Sequence, residues 1–343
     1  MRKLLNTLYI TSPHKYLMLD GENIVISEDS KEVARLPLHN FEGIVSMAYA
    51  GASPALMGAC ADRNISLCFL TPYGRFLARV TGKVKGNVTL RKLQYEYSND
   101  EIKSALVAKN FIFGKVYNSR WVLERAIRDH GLRVNVNALK EKSLYLKKAL
   151  ININNSCDLD QLRGYEGEAA SVYFSVFDEL ILQKKEYFYF RGRNKRPPTD
   201  NVNSLLSFVY TLLTSLVASA LETVGLDPYV GFLHRDRPGR VSLALDLIEE
   251  LRSVFADRFV LSIINKRIVK EDGFIKKENG SIIMNEKTRN IVLQEWQKKK
   301  QDVIKHPYLE EKMEWGLVPY VQSMLLARYL RGDIDAYPPF LWK

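Results

Sequence analysis

Residues 231–252 read GFLHRDRPGRVSLALDLIEELR, setting a histidine, a basic turn and an acidic helix one after another. That order suits a site for cutting or joining phosphodiesters. Carboxylates and an imidazole hold a divalent ion, and nearby cations attract phosphate. Pro238-Gly239 signals a turn, and Ser242 is the expected N-cap of a helix on which Leu243, Leu247, Ile248, Leu251 and Phe255 recur at helical spacing. Asp246 lies three residues before Glu249 and four before Glu250, so the carboxylates are expected on one flank, repelling mildly unless a cation sits between them. His234, on the loop before the helix, completes an oxygen, oxygen, nitrogen set for a hard to borderline ion. The spacing of Glu249 and Arg252 also suits an ordinary exposed ion pair, which is the plainer outcome.

A second acidic element lies upstream. Residues 163–174, RGYEGEAASVYF, place Glu166 near the start of an amphipathic helix whose core side carries Ala169, Ala170 and Tyr173. A first-turn glutamate commonly serves only the helix dipole, and Glu168 is equally available. Residues 191–203, RGRNKRPPTDNVN, form a loop by their proline pair, with Asp200 as the expected cap of the uncharged helix that follows. Arg191, Arg193, Lys195 and Arg196 crowd that loop, and Arg237 and Arg240 flank His234. Either these cations are solvated surface or they serve a phosphate substrate, which they suit better than a peptide or sugar.

These side chains must be positioned by a folded chain of 343 residues, long enough for a sizeable core and two domains. With 46% hydrophobic and 26% charged residues the composition is globular. A formal charge of +11 favours a polyanionic partner, nucleic acid or an anionic surface. Cys60, Cys68 and Cys157 form neither a CxxC pair nor an even disulfide framework, so a reducing cytoplasm is the expected compartment. The N-terminus is too interrupted for a signal peptide, and residues 202–221, uncharged but rich in Ser, Thr and Asn, read as a buried core helix with no membrane role.

Residues 1–82 read as short strands, with two runs about Asp20-Gly21 and one helix over residues 53–63 capped by Ser53 with Pro54 at its first position. Over residues 83–100 apolar periodicity fades and basic residues gather, which reads as a linker. From Glu101 the pattern is mostly helical, with a hairpin expected on Asn279-Gly280. The expected class is therefore α+β: a strand-rich N-terminal domain followed by a larger, mostly α-helical domain over residues 101–343.

Several blocks, in this order, resemble the CRISPR-associated endonuclease and integrase family that captures spacers, the Cas-one family. They are LPLHNFEGIVSM, SPALMGACADRNISLCFLTPYGRFLARV, NVTLRKLQY, LRGYEGEAASVYF, RPPTDNVNSLLSFVYTLL, GLDPYVGFLHRDRPGRVSLALDLIEELR and LVPYVQSMLLARYLRGDIDAYPPFLWK. The tail and the histidine block most resemble the branch of type I-C systems. The resemblance implies a homodimer formed through the β-rich domain, a helical catalytic domain and a small ferredoxin-like partner subunit. It implies Mg²⁺ or Mn²⁺ held by Glu166, His234 and Glu249, with Asp246 as a neighbouring acid. The implied substrate is double-stranded DNA with single-stranded ends or branches, which a 3′ hydroxyl attacks. Candidate phosphate contacts are Arg163, Arg191, Arg193, Lys195, Arg196, Arg237, Arg240 and Arg252. A nuclease without joining activity and a non-catalytic nucleic-acid scaffold are the competing expectations.

Overall fold

The computed structural model describes residues 6–82 and 88–343. β1 (Thr7–Ile10), β5 (Gly43–Ser46), β6 (Ser66–Leu70) and β7 (Phe76–Val80) form one sheet in the order β1-β5-β6-β7. The first three run parallel and β7 antiparallel. β2 (Lys15–Asp20), β3 (Asn23–Glu28) and β4 (Lys31–Pro37) form an antiparallel sheet. The turn read at Asp20-Gly21 is there, with Asp20 opposite Asn23 and Gly21 at φ +57°, a conformation that favours glycine. A parallel β5–β6 pair needs a crossover, and α1 (Pro54–Asp62) supplies it. Its start is as expected: Ser53 Oγ accepts from Leu56 N at 3.2 Å and Pro54 occupies the first turn.

Ile10, Leu17, Ile24, Ile44, Leu56 and Cys60 form one core within this strand-rich part. Met47, Cys68 and Leu70 instead join the core of the helical part, so the four-stranded sheet leans directly on the helices.

Part of the stretch read as a linker is α2 (Val88–Asn99); residues 83–87 of it lie outside the described residues. α2 buries only Leu90 and Gln94, too few for an apolar period to register. Gln94 instead anchors it by polar contacts, donating to the carbonyls of Asp227 and Val230, each at 2.8 Å, and accepting from Asp227 N at 2.9 Å.

α3 (Glu101–His130), α4 (Val136–Asn155) and α5 (Leu159–Ser175) follow, capped by Asp100, Asn135 and Asp158. α6 (Asn201–Val224) starts where Asp200 Oδ1 accepts from Asn203 N at 2.7 Å. By length and composition α6 would cross a membrane, but 67% of its most apolar window is buried inside the protein, which makes it a core helix. α7 (Ser242–Leu251) continues through a π-helical segment, Arg252–Asp257, into α8 (Arg258–Asn265). β8 (Phe274–Lys276) and β9 (Ile282–Met284) make the expected hairpin, with Gly280 at φ +77°. α9 (Glu286–Gln301), the pair β10 (Val303–Lys305) and β11 (Lys312–Glu314), and α10 (Val318–Leu330) complete the order.

Two local expectations about α7 are corrected. Ser242 is not its cap but its first helical residue, after Val241. The first donors of the helix are satisfied from elsewhere, because Pro228 O accepts from Leu243 N at 3.0 Å and Ala244 N at 3.3 Å. Phe255 is buried as its spacing required, yet it lies on the π-helical segment and not on α7 itself.

Candidate active site

The site is assembled where α3, α5 and α7 pack side by side and the loop before α7 folds over them. Asp246 is fully buried on α7 and organises that loop. Its Oδ2 accepts from Phe232 N at 2.7 Å and Leu233 N at 2.9 Å, and its Oδ1 from His234 N at 3.0 Å. Oδ1 also lies 2.6 Å from His234 Nδ1. A carboxylate taking three main-chain donors and an imidazole is a positioning group: with the Nδ1 proton held toward Asp246, the Nε2 lone pair is presented outward. Gly231 makes this approach possible, since a Cβ there would lie 2.7 Å from Asp246 Oδ2 and 2.9 Å from Ser242 Cβ. From α5, Arg163 Nε donates to Leu233 O at 2.9 Å, and its Nη1 pairs with Asp160 at 2.6 Å.

Glu166 of α5 and Glu249 of α7 converge on a residue that sequence reasoning missed, Lys115 of α3. Its Nζ is hydrogen-bonded to Glu166 Oε1 and stands 2.6 Å from Glu249 Oε2. Lys115 had a readable signal: it falls on the same stripe as the buried Phe111, Asn118 and Val122, at helical spacing, where a lysine needs a partner. Glu249 is 3% exposed, and its Oε1 takes Arg252 Nη2 at 2.8 Å. The ion pair that spacing allowed therefore exists, buried and not exposed. Burial alone would push the Glu249 carboxyl up, but the Arg252 and Lys115 cations outweigh it and hold the group below the usual carboxylate range. Burial likewise depresses Lys115, and Glu249 and Glu166 reverse the sign and raise it.

The three acids of α7 do not share one environment as their spacing suggested. Asp246 faces the His234 loop and Glu249 faces cations. Glu250 faces the C-terminal tail, accepting from Tyr337 OH at 2.5 Å, Gln322 Nε2 at 2.9 Å and Phe340 N at 2.9 Å.

Of the expected ligands, the structure brings Glu166 and Glu249 together and leaves His234 outside their cluster, paired with Asp246. Among the described residues no three His, Cys, Asp or Glu side chains stand close enough to hold an ion. The donor chemistry nevertheless fits a divalent cation. Two carboxylates aim at one cationic centre, the Lys115 ammonium, and His234 is oriented through Nδ1 by a carboxylate.

The basic candidates divide by what they already touch. Arg163 and Arg252 are engaged as described, and the Arg252 guanidinium lies 4.8 Å from the Tyr210 ring centroid. Arg193 donates to Asn203 Oδ1 at 2.7 Å and Ser207 Oγ at 3.0 Å, so it fastens its loop to α6. Lys195 is exposed beside this group: partial burial, Arg252 and Arg193 depress its pKa while Glu249 acts the other way. Arg191, Arg196 and Arg237 are exposed and Arg240 half-buried.

Buried carboxylates, a carboxylate-oriented imidazole and adjoining cations are the equipment of a phosphodiester-processing protein. Residues 8–298 match the family described as CRISPR associated protein Cas1. The chain is 47% identical to CRISPR-associated endonuclease Cas1 1 of Chlorobaculum tepidum and 50% identical to CRISPR-associated endonuclease Cas1 2 of Rhodospirillum rubrum, in both cases covering 100% of each chain. The chain belongs to the Cas1 family. Its fold is also that of a casposase bound to integration product, at TM-score 0.82 and 22% identity over 98% of this chain and 94% of that one. It is similar too to a chain of a Cas6-RT-Cas1–Cas2 complex, at TM-score 0.79 and 22% identity over 98% of this chain and 36% of that one.

Proposed function

We propose that this chain is a divalent-metal-dependent DNA endonuclease and integrase, inserting short foreign DNA fragments into a CRISPR array by attack of a 3′ hydroxyl on a phosphodiester. The observation that carries the reading is the convergence of Glu166 and Glu249, from separate helices, on one cationic centre, with an imidazole fixed by Asp246 on the loop before α7. Family membership and relatives named as endonucleases along their whole length support it. Glu166, Glu249 and His234 Nε2 would hold Mg²⁺ or Mn²⁺, oxygen ligands suiting either and the imidazole favouring Mn²⁺. When bound, such an ion would supply Lewis-acid polarisation of a phosphate oxygen and stabilisation of charge on the attacking or leaving oxygen.

The chain's own residues do the rest. Asp246 keeps His234 in one tautomer and orientation, and Arg163 braces the same loop through Leu233 O. Arg252 keeps Glu249 ionised. Exposed Arg191, Lys195, Arg196 and Arg237, with Arg240, attract the DNA backbone. The strand-rich part forms the homodimer contact and a small Cas2-type subunit is the partner; the resemblance of the tail and the histidine block supports the type I-C branch.

Purified His234→Ala, Glu166→Ala and Glu249→Ala, assayed with Mn²⁺ on branched DNA, are expected to lose cleavage and joining while retaining much of their DNA binding. Full activity in His234→Ala removes the proposal. Binding is expected to weaken steeply with added salt, and a flat response counts against the basic contacts.

A further inference from the structure

Lys115 stands where the two carboxylates converge, and a second seat for its ammonium group lies beside it. A cavity of about 10 Å³ is bounded by Lys115, Ser119, Tyr173, Arg252, Ser253 and Asp257 among others. That is room for roughly one water or one ammonium group. Its wall carries one buried oxygen with no partner in hydrogen-bonding geometry, Ser253 Oγ, and the Tyr173 hydroxyl, which is hydrogen-bonded to Asp257. Asp257 adds a carboxylate, whose Oδ1 accepts from Tyr210 OH at 2.5 Å. An ammonium arriving there finds the Asp257 carboxylate for its charge and the unpartnered Ser253 hydroxyl for a proton, with the Arg252 guanidinium already in the wall. A lysine reaches it by rotating its own flexible stem, without movement of α3.

We infer that Lys115 is a resident counter-cation: it holds Glu166 and Glu249 while no divalent ion is bound, and withdraws into the cavity beside Ser253 and Asp257 when one binds. The inference rests on the reading of Glu166 and Glu249 as metal-holding acids. Lys115 is then a positioning residue that keeps two repelling acids aimed at one point, and the ion replaces it there. Charge is conserved locally, because the ammonium moves from the Glu166–Glu249 pair to the buried Asp257 carboxylate. An arginine cannot make the exchange, since a planar guanidinium exceeds a space of this size.

The test is calorimetric titration of Mn²⁺ into the full chain, with thermal melting in parallel. Lys115→Met is expected to bind Mn²⁺ about tenfold tighter than wild type, having lost its internal competitor. Without metal it melts lower than wild type, and Mn²⁺ restores it. Lys115→Arg is expected to bind Mn²⁺ more weakly than wild type, and it decides the matter if the methionine variant does not fold. Unchanged or weaker binding in folded Lys115→Met, or unchanged binding in Lys115→Arg, overturns the inference. Glu249→Ala separates the two readings: if it binds Mn²⁺ as wild type does, the metal reading itself fails. If it loses binding while folded Lys115→Met matches wild type, only the role of Lys115 fails.

Discussion

Two flanks of α7 carry adjacent, deeply buried glutamates in contrasting company. On one, Glu249 meets Lys115 and Arg252, full cations that hold it ionised despite burial. On the other, Glu250 meets only neutral donors, the Tyr337 hydroxyl, the Gln322 amide and the Phe340 main-chain N–H. There burial prevails and pushes the Glu250 carboxyl up to about 7, although all three donors oppose it. The contrast shows that dipoles, even three of them, do less against desolvation than two buried countercharges. The cationic flank keeps an anion ready for an ion or a phosphate. The neutral flank makes a latch, through which the C-terminal tail is fastened behind the site.

That latch has a second tier. Asn118 Nδ2 donates to Glu250 O at 2.7 Å and Phe340 O at 2.6 Å, and its Oδ1 accepts from Trp342 N at 2.9 Å. Trp342 lies under the guanidinium groups of Arg258 and Arg125, 4.6 Å and 5.3 Å from its ring centroid. α3 and α7 come so close here that a Cβ on Gly114 would lie 2.9 Å from Glu250 Cβ.

The largest effect expected from the contrast is on activity. Glu249→Gln keeps the shape but discards the anion, so metal-dependent DNA cleavage is expected to fall by about 10³-fold or more. Glu250→Gln, one residue on, is expected to leave cleavage per folded molecule within about tenfold of wild type. Rates measured on both with Mn²⁺ would erase the distinction between the flanks if the two fell together.

Next in size is a pH effect on stability. Glu250 has a folded pKa of about 7, above its ordinary value of 4.5. Between those values the unfolded chain releases the proton while the folded chain keeps it, so the folded state binds more protons and stability falls as pH rises. The loss from this group is complete above pH 7 and amounts to about 3 kcal/mol. Urea unfolding at pH 5 and pH 8 reads the drop, and Glu250→Gln is expected to flatten it. A Glu250→Gln slope equal to that of wild type would mean that other groups set it.

Asn118→Ala is expected to cost about 2 kcal/mol, because it removes three hydrogen bonds between α3, α7 and the tail. Cleavage per folded molecule should survive, since no contact with Glu166, Glu249 or His234 is lost. A full loss of activity with unchanged stability would place Asn118 on the catalytic flank.

What the sequence disclosed follows the same division between local and distant causes. The Ser53 and Asp200 caps, the hairpin on Gly280 and the burial of α6 are decided within a few residues, and each was legible. Glu166, His234 and Glu249 were legible as residue types with a chemistry, but not their arrangement, because helical spacing fixes where a Cβ lies and not which partner a carboxylate meets. Ser242 was misread because Pro228 supplies the acceptor that a cap would have provided. α2 and Lys115 depend on Asp227 and Glu249, more than a hundred residues away, and no local period registers such partners. The π-helical turn at Arg252–Asp257 left the apolar spacing intact and so gave no sign of itself.

The smallest expected effect probes the latch most finely. Tyr337→Phe removes the 2.5 Å donor to Glu250 Oε1 and leaves Gln322 Nε2 and Phe340 N in place. At pH 5 Glu250 is protonated and the lost bond joins two neutral groups, so the cost is about 1 kcal/mol. At pH 8 the same hydroxyl faces a carboxylate, and a bond to a charged acceptor is worth about twice as much. The variant should therefore lose more stability in alkali than in acid, by about 1 kcal/mol in paired urea titrations. Removing a donor also raises the Glu250 pKa further, which moves the wild-type decline to higher pH in the variant. An equal cost at both pH values would show that Glu250 keeps one protonation state throughout, and its flank would then differ from that of Glu249 in partners but not in charge.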